Sequence, residues 1–319
     1  MKLVIIIPSY NEQDSVTKVI KLIPKKIDGI DKIKIVVIDD GSTDETIQRV
    51  KSQTKAIIIS HKKNQGVGFA FQTGIDYALR NKADIVTNID ADGQFNPIDI
   101  PKLIKPILDK KADFVTGSRF IKKEFIPKMP EIKYWGNRQV SRLISWLLKE
   151  KFYDVSCGFR AYNKKALLNL NLFGKFTYTQ ETFLDLSFKN LRIKEVPIQV
   201  RYFKKRKSRI YQNAFHYAFN ISRIIFETIR DYQPLRFFGF IGLFIFSIGL
   251  VLNSFMLGFY LYTGGFTPYK FIGLAGIVLN VMGLSVIILA LVANMLYRIR
   301  INQEKLLYYT KKRYYYSKR

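Results

Sequence analysis

Residues 237–269 carry no charged side chain, and neither do residues 271–297; only Lys270 separates the two stretches. About 20 apolar residues in a helix cross the hydrocarbon core of a bilayer, so each stretch is long enough for one spanning helix with some tilt. Within that core every backbone N–H and C=O must find its partner inside the segment, which restricts the fold there to helices. Gly264, Gly265 and Pro268 lie between the stretches and supply the chemistry of a turn, so the two segments are expected as a hairpin. Everything else the chain builds must fold outside it.

The formal net charge is +27, and residues 298–319 alone hold eight Lys and Arg against the single Glu304. Two spans return both flanks to one side of the membrane, and the positive-inside rule makes that side cytoplasmic. Anionic headgroups and phosphorylated ligands account for the basic surplus. Nucleic acid is not an expected partner, because the basic residues surround a hairpin and form no recognisable reading element. The single cysteine, Cys157, excludes an intrachain disulfide and agrees with a reducing cytosol. The apolar run at residues 3–7 stops at Pro8 and reads as a buried strand rather than a signal peptide.

From the N-terminus, β-branched runs alternate with helical patterns. Strands are expected over 3–8, 33–39, 56–60 and 85–89, and helices over 13–27, 44–52 and 67–80. This βαβ repetition implies an α/β fold with a mostly parallel sheet, whose ligands bind beyond the carboxyl ends of the strands. After residue 112 the pattern loosens, with strands expected over 114–117 and 193–200 and helices over 134–148 and 181–189. Asn213, His216, Asn220, Arg223, Glu227 and Arg230 form a polar stripe on an otherwise apolar helix, the shape of a helix lying in the membrane interface. The expected organisation is a catalytic domain over 1–209, an amphipathic region over 210–236, two transmembrane helices within 237–297 and a basic cytoplasmic tail over 298–319.

Three acidic clusters end three of these strands. Asp90 and Asp92 flank Ala91, so their carboxylates can converge on one hard cation with Gln94 as a neutral oxygen donor; such a site suits Mg²⁺ or Mn²⁺ bridging phosphates. Asp39 closes the second strand, where a carboxylate can bind a nucleoside's ribose or base, and Tyr10 and Glu12 follow the first strand beside it. Asp40 and Ser42 read more simply as helix caps. Glu181 is the candidate general base, with positioning of a basic residue or complementing a helix N-terminus as its alternative roles.

The ordered series Pro8-Ser-Tyr-Asn-Glu12, Ile38-Asp-Asp-Gly-Ser-Thr-Asp44, Asn64-x-Gly-x-Gly-x-Ala70, Asp90-Ala-Asp-Gly-Gln94, Gly117-Ser-Arg119, Asp154-Val-Ser-Cys-Gly-Phe-Arg160 and Glu195-Val-Pro-Ile198 followed by Arg206-Lys-Ser208 resembles glycosyltransferase family 2. The likeness is greatest to its dolichyl-phosphate mannose synthase and polyprenyl-phosphate glucosyltransferase branch, and it covers roughly residues 1–210. The resemblance implies a Rossmann-like GT-A fold and inverting transfer of a hexose, mannose or glucose, from a GDP- or UDP-linked donor to a polyprenyl or dolichyl phosphate. It also implies a metal site at Asp90, Asp92 and Gln94, and donor contacts at Pro8, Tyr10, Glu12, Asp39, Asp90 and Ala91. Acceptor-phosphate contacts would come from Arg119, Arg138, Ser141, Arg206 and Ser208, and catalysis would rest on Asp92, Arg119, Arg206 and Glu181. Two positions depart from the family pattern. Val67 stands where a Lys or Arg is usual between the glycines, and Asn137-Arg138 where Arg-Arg is common. The Gln-x-x-Arg-Trp element of processive synthases is absent, which favours a single transfer.

A lipid phosphate acceptor is physically economical. Its second pKa is about 6, so an oxyanion is present at neutral pH and no base need remove a proton. The expected partners are therefore a nucleotide-diphospho-sugar, a polyprenyl phosphate and the membrane, and the reading admits a homo-oligomer. Transfer to a lipid hydroxyl, with Glu181 as essential base, and a catalytically silent membrane scaffold are the competing readings.

Overall fold

A computed structural model of the protein describes residues 1–127, 129, 131–171, 178–201, 222–223, 226–227 and 229–316. Most of the amphipathic region expected over 210–236 lies outside the described residues, as do Arg206 and Ser208. The chain divides into two compact units, Met1–Ile221 with Tyr308–Arg319, and Ser222–Leu307.

The first unit is built on a seven-stranded sheet in the order β3-β2-β1-β4-β6-β5-β7. The strands are β1 (Lys2–Ser9), β2 (Lys32–Asp39), β3 (Ile57–Ser60), β4 (Ile85–Asn88), β5 (Phe114–Ser118), β6 (Arg160–Asn163) and β7 (Ile193–Pro197). All pairings are parallel except those of β6, which runs against both β4 and β5. The helices are α1 (Val16–Leu22), α2 (Thr46–Gln53), α3 (Val67–Arg80), α4 (Ile100–Leu108), α5 (Glu131–Leu148), α6 (Lys164–Asn169) and α7 (Tyr178–Phe188).

The centre of the sheet explains its sequence. β1 is covered on both faces, so Leu3 through Ile7 are all fully buried and the strand reads as an unbroken apolar run. Leu3, Ile5 and Ile7 join a core cluster with Val16, Val19 and Ile20 of α1 and Ile100, Leu103 and Ile104 of α4. Ile6 points to the other face, beneath α3. A Cβ added at Gly74 would fall within 2.9 Å of the Ile6 Cδ1, so glycine is what lets this helix lie so close to the strand.

The order of the strands also locates a crevice. The chain moves from β1 to β2 to β3 in one direction and returns to place β4 on the other side of β1. This reversal is a topological switch point, where open sheets of this class bind ligands. Ser9 pairs with Asp39, which pairs with Ser60, so the loops after these strands leave from one edge. The loop after β4 leaves from the same edge.

In the second unit, α8 (Pro234–Thr263) and α9 (Lys270–Tyr316) as far as Leu307 form the hairpin, and both helices are long and apolar enough to cross a membrane. Gly264 ends α8 in the left-handed conformation at φ 70°. The buried positions on α8 are Pro234, Gly242, Gly249 and Met256, and on α9 they are Gly273, Gly276, Gly283 and Ala290. The glycines form an antiparallel seam in which Gly242 meets Ile287, Phe246 meets Gly283, Gly249 meets Asn280, Asn253 meets Gly276 and Met256 meets Gly273. A Cβ at Gly249 would lie 2.7 Å from the Gly276 carbonyl oxygen, and one at Gly242 would lie 2.9 Å from the Ile287 nitrogen. Close approach of this kind supplies the dispersion contacts that hold helices together where the surroundings are as apolar as the side chains. Phe240, Phe244 and Leu261 point outward. The segment expected as a tail from residue 298 is helical as far as Tyr316.

Candidate active site

The loops after β1 and β2 are laced to each other. The Asn11 nitrogen donates to Ser42 Oγ at 2.9 Å, the Thr43 nitrogen donates to Asn11 Oδ1 at 2.8 Å, and the Glu12 nitrogen donates to Thr46 Oγ1 at 2.8 Å. Ser15 Oγ donates to Glu12 Oε2 at 2.8 Å, which orients that carboxylate. Asp39 is buried, and its Oδ1 accepts the Ser42 nitrogen at 3.2 Å. Contrary to the expectation from sequence, neither Asp40 nor Ser42 caps α2. Glu45 stands at the N-cap without a side-chain bond, and Asp44 just before it accepts the Thr46 nitrogen at 3.0 Å. The Asp40 carboxylate instead gathers the glycine-rich loop before α3, accepting Gln65 N at 3.0 Å and Gly66 N at 2.7 Å and contacting His61 Nδ1 at 2.8 Å. Tyr10 and Glu12 are half-buried beside these loops, and Pro8 is buried at the end of β1.

Asp90 and Asp92 follow β4 across the crevice and are half-buried, with Ala91 buried between them. Gly93, at φ 73°, turns the chain so that the Gln94 nitrogen donates to Asp92 Oδ1 at 2.9 Å. Gly158 faces Asp90, where a Cβ would stand 3.0 Å from Oδ2. The Gly158 carbonyl is itself held by Asn88 Nδ2 at 3.0 Å. Among the described residues no group of three or more His, Cys, Asp or Glu side chains comes together as a metal cage. The donors that Asp90, Asp92 and Gln94 would offer are all oxygens, and Gly158 keeps space beside the Asp90 carboxylate. Oxygen chemistry of this kind fits a hard divalent cation that keeps coordination positions open for phosphate. A cavity of about 670 Å³ opens here, and its walls include Glu12, Lys18, Asp44, Asp92, Asn96 and Arg201. Arg201 also donates its backbone N–H to the Gln94 carbonyl at 2.9 Å, which ties it to the Asp92 loop.

A buried ionic network lies on the other side of Asp90. The Arg119 guanidinium grips Asp154 with Nε at 2.6 Å and Nη2 at 2.8 Å, and Nη2 also reaches Ser156 Oγ at 2.9 Å. Ser156 Oγ donates to Asn137 Oδ1 at 2.9 Å, which brings in α5. Asp154 is fully buried. Burial opposes its ionisation, but the Arg119 charge and its hydrogen bonds outweigh that and hold the carboxyl below the usual range. Glu195 of β7 accepts the Asp154 nitrogen at 2.7 Å and the Tyr153 nitrogen at 2.8 Å. Its own burial, with the Asp154 charge adding to it, pushes it up to about 7 despite those two donors.

Arg160 is fully buried and donates to three carbonyls, Cys157 at 2.7 Å, Val155 at 2.9 Å and Thr179 at 2.7 Å. It thereby fastens the 155–157 loop to the first turn of α7, where Glu181 is half-buried. Burial pushes the Cys157 thiol up to about 12, so it is an inert packing residue. Ser141 is buried on α5 and accepts the Val155 nitrogen at 3.4 Å, so it faces the same loop. Arg138 Nη1 donates to the Tyr134 hydroxyl at 2.9 Å on the exposed side of α5, where Trp135 and Trp146 are also exposed. Pro8, Tyr10, Glu12, Asp39, Asp90, Ala91, Asp92 and Gln94 thus gather at the carboxyl edge, while Arg119 and Ser141 are embedded in the network around residues 154–156. Asp154, Glu195, Arg160, Gly158 and Arg201 are not singled out by sequence reasoning. The first four lie in motifs whose order is recognisable, but nothing in their spacing announces what each one touches.

Residues 4–170 match the sequence model of "Glycosyl transferase family 2". The chain is 36% identical over 218 residues to the UDP-N-acetylglucosamine–dolichyl-phosphate N-acetylglucosaminyltransferase of Methanococcus voltae, a match covering 62% of this chain and 85% of that protein. It is 26% identical over 214 residues to the undecaprenyl-phosphate mannosyltransferase of Micrococcus luteus, covering 62% and 83%. Among solved structures, glucosyl-3-phosphoglycerate synthase from Mycobacterium tuberculosis in complex with Mn²⁺, UDP and phosphoglyceric acid superposes with a TM-score of 0.56 at 20% identity, covering 71% of this chain and 78% of that one. The shared feature is the fold, a mostly parallel Rossmann-like sheet of the GT-A type.

Proposed function

The chain belongs to glycosyl transferase family 2, and from that premise we propose that it transfers a hexose, such as mannose or glucose, from a nucleotide-diphospho-sugar to a polyprenyl phosphate at the cytoplasmic face of a membrane. The observation that supports this reading is that the loops carrying Glu12, Asp39 and Asp90–Asp92 leave one edge of the sheet at its switch point, with Glu12 and Asp92 lining one cavity, in a chain that also has two helices long enough to span a bilayer. The acceptors named for the relatives in Methanococcus voltae and Micrococcus luteus are both polyprenyl-type phosphates, which supports the same acceptor class here.

In this reading Tyr10, Glu12 and Asp39 hold the nucleoside, and Asp90, Asp92 and Gln94 hold Mg²⁺ or Mn²⁺. The cation, when bound, neutralises charge gathering on the departing diphosphate. Arg119, kept rigid by Asp154, presents positive charge toward the acceptor side. Arg138, Ser141, Arg206 and Ser208 complete the acceptor-phosphate contacts. The acceptor oxyanion attacks the anomeric carbon opposite the diphosphate, the bond to the diphosphate breaks, and the configuration inverts. Glu181 then serves to position a basic group, since the nucleophile arrives without a proton to remove. The basic and aromatic face of α5, with Trp135, Arg138 and Trp146, suits contact with headgroups.

Incubating the purified protein with GDP-mannose, UDP-glucose or UDP-N-acetylglucosamine, a divalent cation and a polyprenyl phosphate, followed by mass spectrometry of the lipid, tests the proposal. A sugar phosphate-linked lipid is the expected product. Asp92→Asn and EDTA should each reduce its formation by roughly 100-fold or more, with the melting temperature of Asp92→Asn unchanged. Glu181→Gln should cost only about 10-fold. Turnover of a lipid lacking phosphate, with Glu181→Gln close to inactive, would instead establish transfer to a hydroxyl.

A further inference from the structure

The end of α9, residues 308–316, belongs to the same compact unit as the sheet, and it is fastened there at several points. Lys311 Nζ donates to the Leu170 carbonyl and to Asn171 Oδ1, each at 2.8 Å. The Tyr315 hydroxyl donates to Asp76 Oδ1 at 2.7 Å, and the Tyr316 hydroxyl donates to the Ala83 carbonyl at 2.8 Å. The Lys164 ammonium lies 3.3 Å from the centroid of the Tyr316 ring. Ala83 precedes β4, Lys164 follows β6, and Asp76 lies in the later part of α3, so this attachment is at the edge of the sheet opposite the candidate site.

Further contacts lead from this attachment into α7. The Asn171 nitrogen donates to Asp185 Oδ2 at 3.4 Å, Asp185 pairs with Lys189 at 2.8 Å, and Lys189 Nζ donates to the Asn169 carbonyl at 2.7 Å. These contacts bear on the later turns of α7. The first turn of the same helix carries Glu181 and is held by the bond from Arg160 to the Thr179 carbonyl. α7 is therefore a strut running from the site to the opposite edge, gripped by Arg160 at one end and by the 169–171 segment at the other.

We propose that residues 308–316 are a positioning strap of the transferase domain, in which Lys311, by fixing Leu170 and Asn171, holds the far end of the helix that carries Glu181. The proposal rests on the transferase reading for the role of Glu181, but the strap itself has a readout that needs no activity. A solvated basic tail would leave α7 indifferent to Lys311. A strap makes the helix depend on it, because an ammonium bound to two oxygens cannot be removed without leaving those oxygens to find new partners.

The test uses the full-length protein in nanodiscs and three variants, Lys311→Met, Lys311→Arg and Tyr316→Phe. In hydrogen–deuterium exchange, Lys311→Met should speed exchange across 168–188 by roughly 10-fold while leaving β1 and β2 unchanged. In turnover it should lower kcat by about 10-fold with KM for the nucleotide sugar within about twofold, since misplacement of a helix by a fraction of an ångström is felt in the reaction geometry rather than in donor binding. Lys311→Arg should restore most of both effects. Tyr316→Phe, which removes one hydrogen bond and keeps the ring, should act in the same direction more weakly. Unchanged exchange across α7 in Lys311→Met would overturn the strap, and so would faster exchange with unchanged kcat or a KM that rises in step. If the wild-type protein turns over none of the nucleotide sugars, the functional reading fails by itself, and the exchange measurement still decides the strap.

Discussion

Glu195 accepts two backbone N–H groups and yet keeps its proton up to about 7, because burial and the nearby Asp154 charge outweigh those donors. The consequence for stability has a definite sign. An unfolded glutamic acid loses its proton near its ordinary value of 4.5, whereas the folded one retains it to about 7. Between those values the native state binds more protons than the unfolded state, so stability falls as the pH rises, with the loss complete above about 7. The full effect is on the order of 3 kcal/mol. Thermal unfolding from about pH 5 to about pH 8 should show this decline in the wild-type protein and its loss in Glu195→Gln. Parallel curves for the two proteins would show that Glu195 does not titrate in this window. The comparison must be of slopes, because the amide in Glu195→Gln replaces an acceptor with a donor facing a backbone N–H. At this scale the sequence is legible where chemistry follows an apolar run. Asp39, Asp90 and Asp92 each follow a buried strand or its continuation, and they are found where that pattern puts them. The partners of Asp154 are another matter. Arg119 is 35 residues away and Glu195 is 41, and no local period encodes either distance. Arg160 is hidden for a further reason, since arginine is ordinarily read as a surface residue and here three carbonyls replace its water.

Elements with a strong period are the ones whose limits the sequence conveys. α3 runs from Val67 to Arg80, the span its pattern predicts, while α1 is shorter than expected and α5 and α7 each begin one turn earlier. α4 is not among the expected helices, and it contains two prolines, Pro101 and Pro106. The first sits in the opening turn, where its missing N–H costs nothing, and the second lies close to the end of the helix. β6 escapes a reading by pattern because it is four residues long with no alternation, and it is placed by antiparallel pairing with strands distant in sequence. The hairpin is recognisable from its lack of charge, but its seam is not, since glycines spaced seven apart in an apolar run look ordinary until the opposing helix is in view. That seam makes a prediction. Gly249→Leu should lower the melting temperature in detergent, because a Cβ at 249 would fall 2.7 Å from the Gly276 carbonyl oxygen and the helices would have to part. Gly258 has nothing within 4 Å of its Cβ position. Gly258→Leu should therefore be neutral or slightly stabilising, since leucine favours the helix more than glycine does. Equal melting of the two variants would be incompatible with the seam.

For the molecule as a whole, the membrane arrangement can be checked directly. A cysteine introduced at Gly264 or Gly265 should react with an impermeant reagent on sealed cells, whereas one at Lys318 should react only after permeabilisation. The turn is flanked by a single lysine, and the tail carries a dense positive charge. Reversed labelling would place the transferase domain away from cytosolic nucleotide sugars and would contradict the proposed topology. The reversed strand β6 has a further bearing on how such an enzyme diversifies. β1 to β4 are joined in one continuous ladder in which only β4 touches β6, and the chain between β5 and β6 is a single excursion that leaves from the carboxyl edge and returns to it. That excursion contains Arg119, α5 and Asp154, whereas the donor-side residues all precede it. On the proposed assignment the nucleotide side is encoded wholly before this excursion, whereas the acceptor side is drawn from two stretches, the excursion itself and the segment after β7 that carries Arg206 and Ser208. The excursion also supplies Gly158, which faces Asp90, so a change of sequence there reaches both sides of the crevice at once while every strand pairing among β1 to β4 stays as it is.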